Sequence, residues 1–125
     1  IADTANQLAT IDELKTFGHH LEQAVAAARR ATDWLITNGP TNLNHVLAGS
    51  SPYLRLLGTV VCGGLMGQMA LVASSKTDDP NGFYQAKTVS ARFFGEQILP
   101  PAIGLEATIT AGANDLFALT ADQLA

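Results

Sequence analysis

The chain has 125 residues and a formal net charge of −4, with seven Lys and Arg against eleven Asp and Glu. Its length fits a single domain over 1–125; its 47% hydrophobic content excludes an intrinsically disordered chain, and its acidic balance argues against a nucleic-acid-binding module. Only 14% of the residues are charged, against about 25% in an ordinary globular domain, so either one face of the domain is hidden from water or the chain crosses a membrane.

The first helix is predicted over 10–38. Thr10 and Glu13 have the spacing of a capping box. Apolar or small residues then recur at alternating steps of three and four, which is typical of a helix that packs on another helix. Gly39 is placed to take a left-handed cap, and Pro40 cannot continue the helix. Residues 1–9 are either a leading segment or the end of a preceding helix.

The second helix is predicted to begin at Ser51 as N-cap, with Pro52 in its first turn, and to run to Lys76. Residues 41–51 are then a connector that holds one helical turn around 43–47. The stretch 56–75 carries no charge and is long enough to be a membrane candidate. We favour a central helix of a soluble bundle, buried on all sides, with glycines where a neighbouring helix crosses closely, because the other helices are amphipathic.

The third helix is predicted over 81–99, after a loop in which Asp79 and a proline repeat the cap-plus-proline start. The pair Pro100-Pro101 predicts a kink or break. A helix over 102–111, a stop at Gly112, a short helical stretch over 113–119 and one capped turn follow. The fold class is therefore all-α, an up-down antiparallel bundle of three long helices plus a kinked or broken C-terminal helix.

No local pattern supports a catalytic, cofactor or metal site. The pair His19-His20 lacks the Glu-x-x-His partners of a di-iron bundle, so we interpret these histidines, with His45, as surface residues. The segment 62–67 approaches a Gly-rich phosphate loop, but no strand precedes it. The single cysteine, Cys62, excludes an internal disulfide and lies among apolar residues, where a thiol is usually inert.

Two isolated cations within apolar runs, Arg55 and Arg92, are more informative. A partly buried Arg must be paired. We therefore expect at least one of them to bind a buried carboxylate, either Glu96 or one outside this chain; the alternative is an Arg whose stem lies along the surface with its charge in water.

The segment 46–58 resembles the "A-x-x-Y-L-R-L-F-G" segment of a known family, with Leu57 where an aromatic residue is common. The segment 83–100 resembles the same family's "F-Y-x-x-K-x-x-x-A-R-F-F-x-E-x-x-L-P", and Ala111–Ala113 matches its "A-G-A". The family is the C-terminal helical domain of bacterial acyl-CoA dehydrogenases, in the branch of 3-methylmercaptopropionyl-CoA dehydrogenase-like enzymes. The resemblance covers about residues 10–119.

The resemblance implies a parent flavoenzyme of fatty acid metabolism that oxidises an acyl-CoA thioester with FAD, and it implies that the catalytic parts lie upstream of this chain. No catalytic or flavin-binding residue is carried over to these positions. The cofactor expected in the fragment is none. The expected partners are the rest of the dehydrogenase and a second copy of the chain, without nucleic acid or a membrane span, in the cytoplasm.

Two functions remain open. The first is a structural and interaction domain that packs on the catalytic body or at a subunit interface; its candidate residues are Tyr53, Arg55, Arg92, Phe93, Phe94 and Glu96. The second is an autonomous bundle that binds a small apolar ligand; its pocket would be lined by Tyr53, Met66, Met69, Phe93 and Phe94. The first predicts one contiguous apolar patch, larger than the few hundred Å² usual on a monomer.

Overall fold

The computed structural model describes residues 1–124, which contain helices and turns and no strand. The helices are α1 Ala2–Ala9, α2 Lys15–Asn38, α3 Leu43–Ser74, α4 Phe83–Phe93, α5 Leu99–Ile103 and α6 Leu105–Thr110. Helix α4 meets α3 beside Met69, whereas α6 meets it beside Gly49, so α4 to α6 run back along α3. The all-α bundle with a bent C-terminal rod is confirmed.

Helix α1 settles the open question of residues 1–9, because it is a helix that packs on both α2 and α3. A Cβ on Gly18 would lie 2.6 Å from the backbone nitrogen of Ala9, so only glycine allows α1 and α2 to cross this closely. The prediction of a capping box at Thr10 is wrong. Its hydroxyl donates to the carbonyl of Gln7 at 2.7 Å and so closes α1 instead of opening the next helix.

The predicted connector over 41–51 is also wrong, because α3 begins at Leu43 and continues through Pro52. The Asn42 side chain caps it by accepting the Asn44 N–H at 3.0 Å. A proline inside a helix loses one backbone bond. Packing of the first turns offsets that loss, because Gly49 is buried against Leu35 of α2 and Ile109 of α6. Gly39 has φ of −56°, so the predicted left-handed cap is wrong as well.

Helix α3 is buried along one side only, which corrects the prediction of a central helix buried all round. By length and composition it is the one helix among the described residues that could cross a membrane, yet only 39% of its most apolar window is buried. The predicted close crossings are confirmed at Gly63, Gly64 and Gly67. Cβ atoms there would press on side chains of α1, α2 and α5: Ile1, Thr4, Leu8, Leu21 and Leu99.

The predicted third helix corresponds to α4 and begins at Phe83 rather than at residue 81. The Asp79 carboxylate accepts the N–H of Gln85 in its first turn at 2.9 Å. The predicted irregularity at the proline pair takes the form of one π-helical turn, Phe94–Ile98, directly before it. Within this turn Gly95 lies under the Phe17 ring, which a Cβ would strike. The rod is interrupted again at Gly104, and Gly112 ends it with φ of +76°, as predicted.

Candidate protein-interaction surface

The side of α3 that faces away from the other helices is apolar and exposed to solvent. Five large side chains follow one another along it, each between 44% and 73% exposed: Leu47, Leu54, Val61, Leu65 and Val72. The opposite side of the helix holds the buried residues, among them Leu56 and Val60. A helix with one buried side and one apolar side exposed to solvent is typical of a surface that meets another protein.

Gly58 lies in the middle of this exposed side, and no contact within residues 1–124 requires a glycine at this position. A Cβ built on Gly58 would have no neighbour within 4 Å, unlike those at Gly63, Gly64 and Gly67. A glycine inside a helix costs about 0.5–1 kcal/mol relative to alanine. Cys62, one turn further on, is exposed, which corrects the interpretation of an inert thiol held among apolar side chains.

A second apolar surface belongs to α4, where Phe83 is 57% and Phe93 60% exposed. A shallow groove of about 410 Å³ joins it to α3 and is lined by Leu65, Gln68, Met69, Val72, Ala73, Phe83, Tyr84 and Lys87. The ammonium of Lys87 lies over the Phe83 ring, 5.1 Å from its centre. The two exposed apolar sides therefore meet at this groove.

The six interface candidates from the sequence do not form one cluster. Phe93 is exposed, whereas Tyr53 and Phe94 pack against the core. The Tyr53 hydroxyl lies 2.9 Å from that of Thr32. Glu96 is half-buried in the π-helical turn. The candidates thus mark both the outer surface and the packing beneath it.

Of the two carboxylates expected for Arg55 or Arg92, Glu96 is wrong, because neither arginine forms an ion pair with it within residues 1–124. Arg92 approaches the half-exposed Glu13 instead, with 3.9 Å between a guanidinium nitrogen and a carboxylate oxygen. Arg55 is exposed and forms no ion pair within residues 1–124. Pairing of Arg55 with a carboxylate outside this chain stays a prediction.

Sequence reasoning missed the strongest ion pair, which joins α2 to α6. Arg30 donates from Nε and Nη2 to the two carboxylate oxygens of Glu106, both at 2.7 Å. These hydrogen bonds lower the pKa of Glu106 below its ordinary value and raise that of Arg30 above its own. The partners are 76 residues apart, so no local spacing could indicate them.

Two histidines interpreted as surface residues make structural hydrogen bonds. His20 Nδ1 lies 2.9 Å from the carbonyl oxygen of Gly95, so this nitrogen carries the proton and donates. His45 Nδ1 accepts the N–H of Ala113 at 3.0 Å, and its ring packs edge-on against Trp34. Both are half-buried, and neither belongs to a group of three or more potential metal ligands among the described residues.

The glycine-rich segment 62–67 does not form a phosphate-binding loop. The glycines of 62–67 lie inside α3, where they make room for α1, α2 and α5 rather than for a ligand. The set proposed for a small apolar ligand is not gathered either. Tyr53, Met66, Met69 and Phe94 pack on the core, while Phe93 is exposed. What the arrangement offers chemically is exposed apolar area on α3 and α4.

Comparison with known proteins identifies a family and a relative of this chain. The sequence model of the family described as "Acetyl-CoA dehydrogenase C-terminal like" matches residues 1–120. The 3-methylmercaptopropionyl-CoA dehydrogenase of Ruegeria pomeroyi is 32% identical over 99 residues, which are 77% of this chain. The matched part is only 17% of that relative's length. No solved structure matches the chain significantly.

Proposed function

Because the chain belongs to the family of acetyl-CoA dehydrogenase C-terminal-like domains, we propose that it is the C-terminal helical domain of an FAD-dependent acyl-CoA dehydrogenase. In this proposal the rest of the enzyme binds FAD and the acyl-CoA and removes the two hydrogens, in the cytoplasm. The domain supplies contact area to that catalytic body and no reacting group.

The observation that carries the proposal is the exposed Phe93 on α4. The chain buries the Phe17 ring completely but leaves the Phe93 ring 60% exposed, and Phe93 directly follows Arg92 in the sequence. Aromatic residues and arginines are the types that contribute most to binding at protein interfaces. The similar dehydrogenase also supports the proposal. The matched part is only 17% of its length, so most of that protein lies outside the domain and could form the body on which such a domain packs.

The proposal predicts that Phe93→Glu acts only in the whole enzyme. In the 125-residue chain Phe93 is exposed, so the substitution changes stability by less than about 0.5 kcal/mol. In the whole enzyme it leaves a carboxylate in an apolar contact. We expect a lower melting temperature of the whole enzyme and faster release of the domain by limited proteolysis, with the FAD content of the remaining body unchanged.

The matched control is Leu116→Glu, because Leu116 is 68% exposed but lies in the short turn after Gly112. If Phe93→Glu and Leu116→Glu release the domain at the same rate, the contact with the catalytic body is not made through α4. A flavin absorption spectrum from the purified 125-residue chain would contradict the division of roles.

A further inference from the structure

We infer that the outer side of α3 is a self-pairing surface, on which α3 of a second copy of this chain packs antiparallel. The inference deepens the proposed function and rests on it only for the setting in a whole dehydrogenase. Its own support is the order of the exposed residues along α3.

That order is a heptad pattern. Eight positions fall on the two seam positions of a coiled coil, and all eight are exposed: Leu47, Ser51, Leu54, Gly58, Val61, Leu65, Gln68 and Val72. They alternate by steps of four and three over about 3.6 heptads, a length of roughly 38 Å. No other helix within residues 1–124 covers them. A seam of this length with no partner helix predicts one from outside.

The pattern is also symmetric about its centre, between Thr59 and Val60. In an antiparallel pair of identical helices that cross at that centre, each residue faces the partner residue that lies equally far from the centre on the other side. Leu54 then faces Leu65 of the partner subunit, and Leu47 faces the partner's Val72. A two-fold interface requires this self-complementarity, and another protein would not require it.

The two remaining pairs of facing residues match each other in size and in polarity. Gly58 faces the partner's Val61, so the missing Cβ makes room for a branched side chain. Ser51 faces the partner's Gln68, two polar groups that can hydrogen-bond to each other. The pairing thus explains Gly58, the one exposed α3 glycine that nothing inside the chain explains.

Charge argues against a membrane as the occupant. Helices that lie in a membrane surface carry many Lys and Arg on their polar side. Within α3 the only Lys or Arg is Arg55, and the whole chain has a net charge of −4. None of the eight seam positions is charged, which suits contact with an identical helix.

The size of the surface sets the expected affinity. A strip of about 38 Å by about 11 Å offers about 400 Å² per copy and about 800 Å² in total, which is below the range of stable specific interfaces and in that of weak, transient ones. We therefore expect the 125-residue chain to dimerise with a dissociation constant of about 10–100 μM. The rest of the enzyme would hold the two copies together more tightly by raising their effective concentration.

The test is sedimentation equilibrium of the 125-residue chain from about 1 to 500 μM. We expect Leu54→Lys alone and Leu65→Glu alone to weaken dimerisation at least about tenfold, because each leaves charges in an apolar seam. An equimolar mixture of the two variants should dimerise again, since Leu54→Lys in one copy then faces Leu65→Glu in the other. Leu116→Glu is the control and should dimerise like the unchanged chain.

A second variant tests the centre of the seam. Gly58→Leu meets open space in the single chain, so the helix content and melting temperature of the monomer should not fall. It collides with the partner's Val61, so the dimer should be lost. Cys62 flanks the seam, and its reaction with a thiol reagent should slow as the chain concentration rises.

A chain that stays monomeric up to about 500 μM, several times the expected dissociation constant, or a mixture of the two charged variants that does not dimerise, would overturn the inference. So would flotation of the chain with neutral or anionic vesicles that Leu54→Lys abolishes, because the occupant would then be a membrane. These outcomes are independent of the domain-release experiment with Phe93→Glu. Either proposal can therefore fail while the other stands.

Discussion

At the scale of single residues, the π-helical turn shows how a distant side chain completes a local irregularity. Pro100 has no N–H to give to the carbonyl of Gly95, and the N–H of Leu99 donates to the carbonyl of Phe94 instead. The Gly95 carbonyl is left without a helical donor. His20, 75 residues away in sequence, donates to it from Nδ1 at 2.9 Å.

We predict that His20→Leu destabilises the chain by about 1–3 kcal/mol, because it leaves the Gly95 carbonyl buried without a partner. The neighbouring His19 is exposed, so His19→Leu should change stability by less than about 0.5 kcal/mol. Urea denaturation of the two variants measures the difference. Equal losses in both would show that the His20 hydrogen bond does not stabilise the turn.

At the scale of helices, α2 holds α6 through the bidentate pair of Arg30 and Glu106 as well as through apolar packing. The Glu106 carboxyl has a lowered pKa in the folded chain, first because of its hydrogen bonds to Arg30. Such a group stabilises the fold fully above the pKa it has when unfolded. The contribution is lost as the pH falls through the folded pKa.

We predict that Glu106→Gln lowers the melting temperature at neutral pH and that the difference disappears in acid, below the ordinary range of a glutamate. Added salt should also reduce it, because the pair is largely exposed and salt screens it. Glu22→Gln is the control, since it removes the same charge from an exposed position outside both ion pairs. If the two variants melt alike at neutral pH, the pair contributes nothing to the docking of α6.

At the scale of the whole molecule, the low charge content has two causes. One is the buried side of α3, and the other is the set of large apolar side chains that are exposed to solvent on α3 and α4. The groove between Leu65, Val72 and Phe83 joins these two sides. That they form one patch larger than a few hundred Å² stays a prediction.

Where the domain starts is also decided at this scale. Leu8 of α1 is completely buried against the bundle. We predict that Leu8→Ala costs about 2–5 kcal/mol, as expected for a core leucine. Leu116→Ala, at an exposed position, should cost less than about 0.5 kcal/mol. Thermal or urea unfolding at low concentration measures both, and a small effect of Leu8→Ala would mean that α1 is not part of the cooperative unit.

Much of the fold could be predicted from local pattern. The three-and-four spacing over 11–35 predicts a helix that packs on another, the proline pair predicts an irregular third rod, and Gly112 predicts its end. The candidate residues were predicted less well. Phe93 is exposed as an interface residue should be, but Glu96 pairs with neither Arg55 nor Arg92 within residues 1–124.

The helical character of this chain follows from local sequence, because backbone preferences and proline chemistry act over a few residues. The glycines of α3 at which neighbours cross could also be predicted in this way. Long-range packing was needed to show that α3 begins before Pro52, that α1 belongs to the bundle, and that one apolar side of α3 faces water. The reason is physical: an apolar helix can be covered on one side or on all sides with the same composition, and how many neighbours reach it depends on packing between residues far apart in sequence.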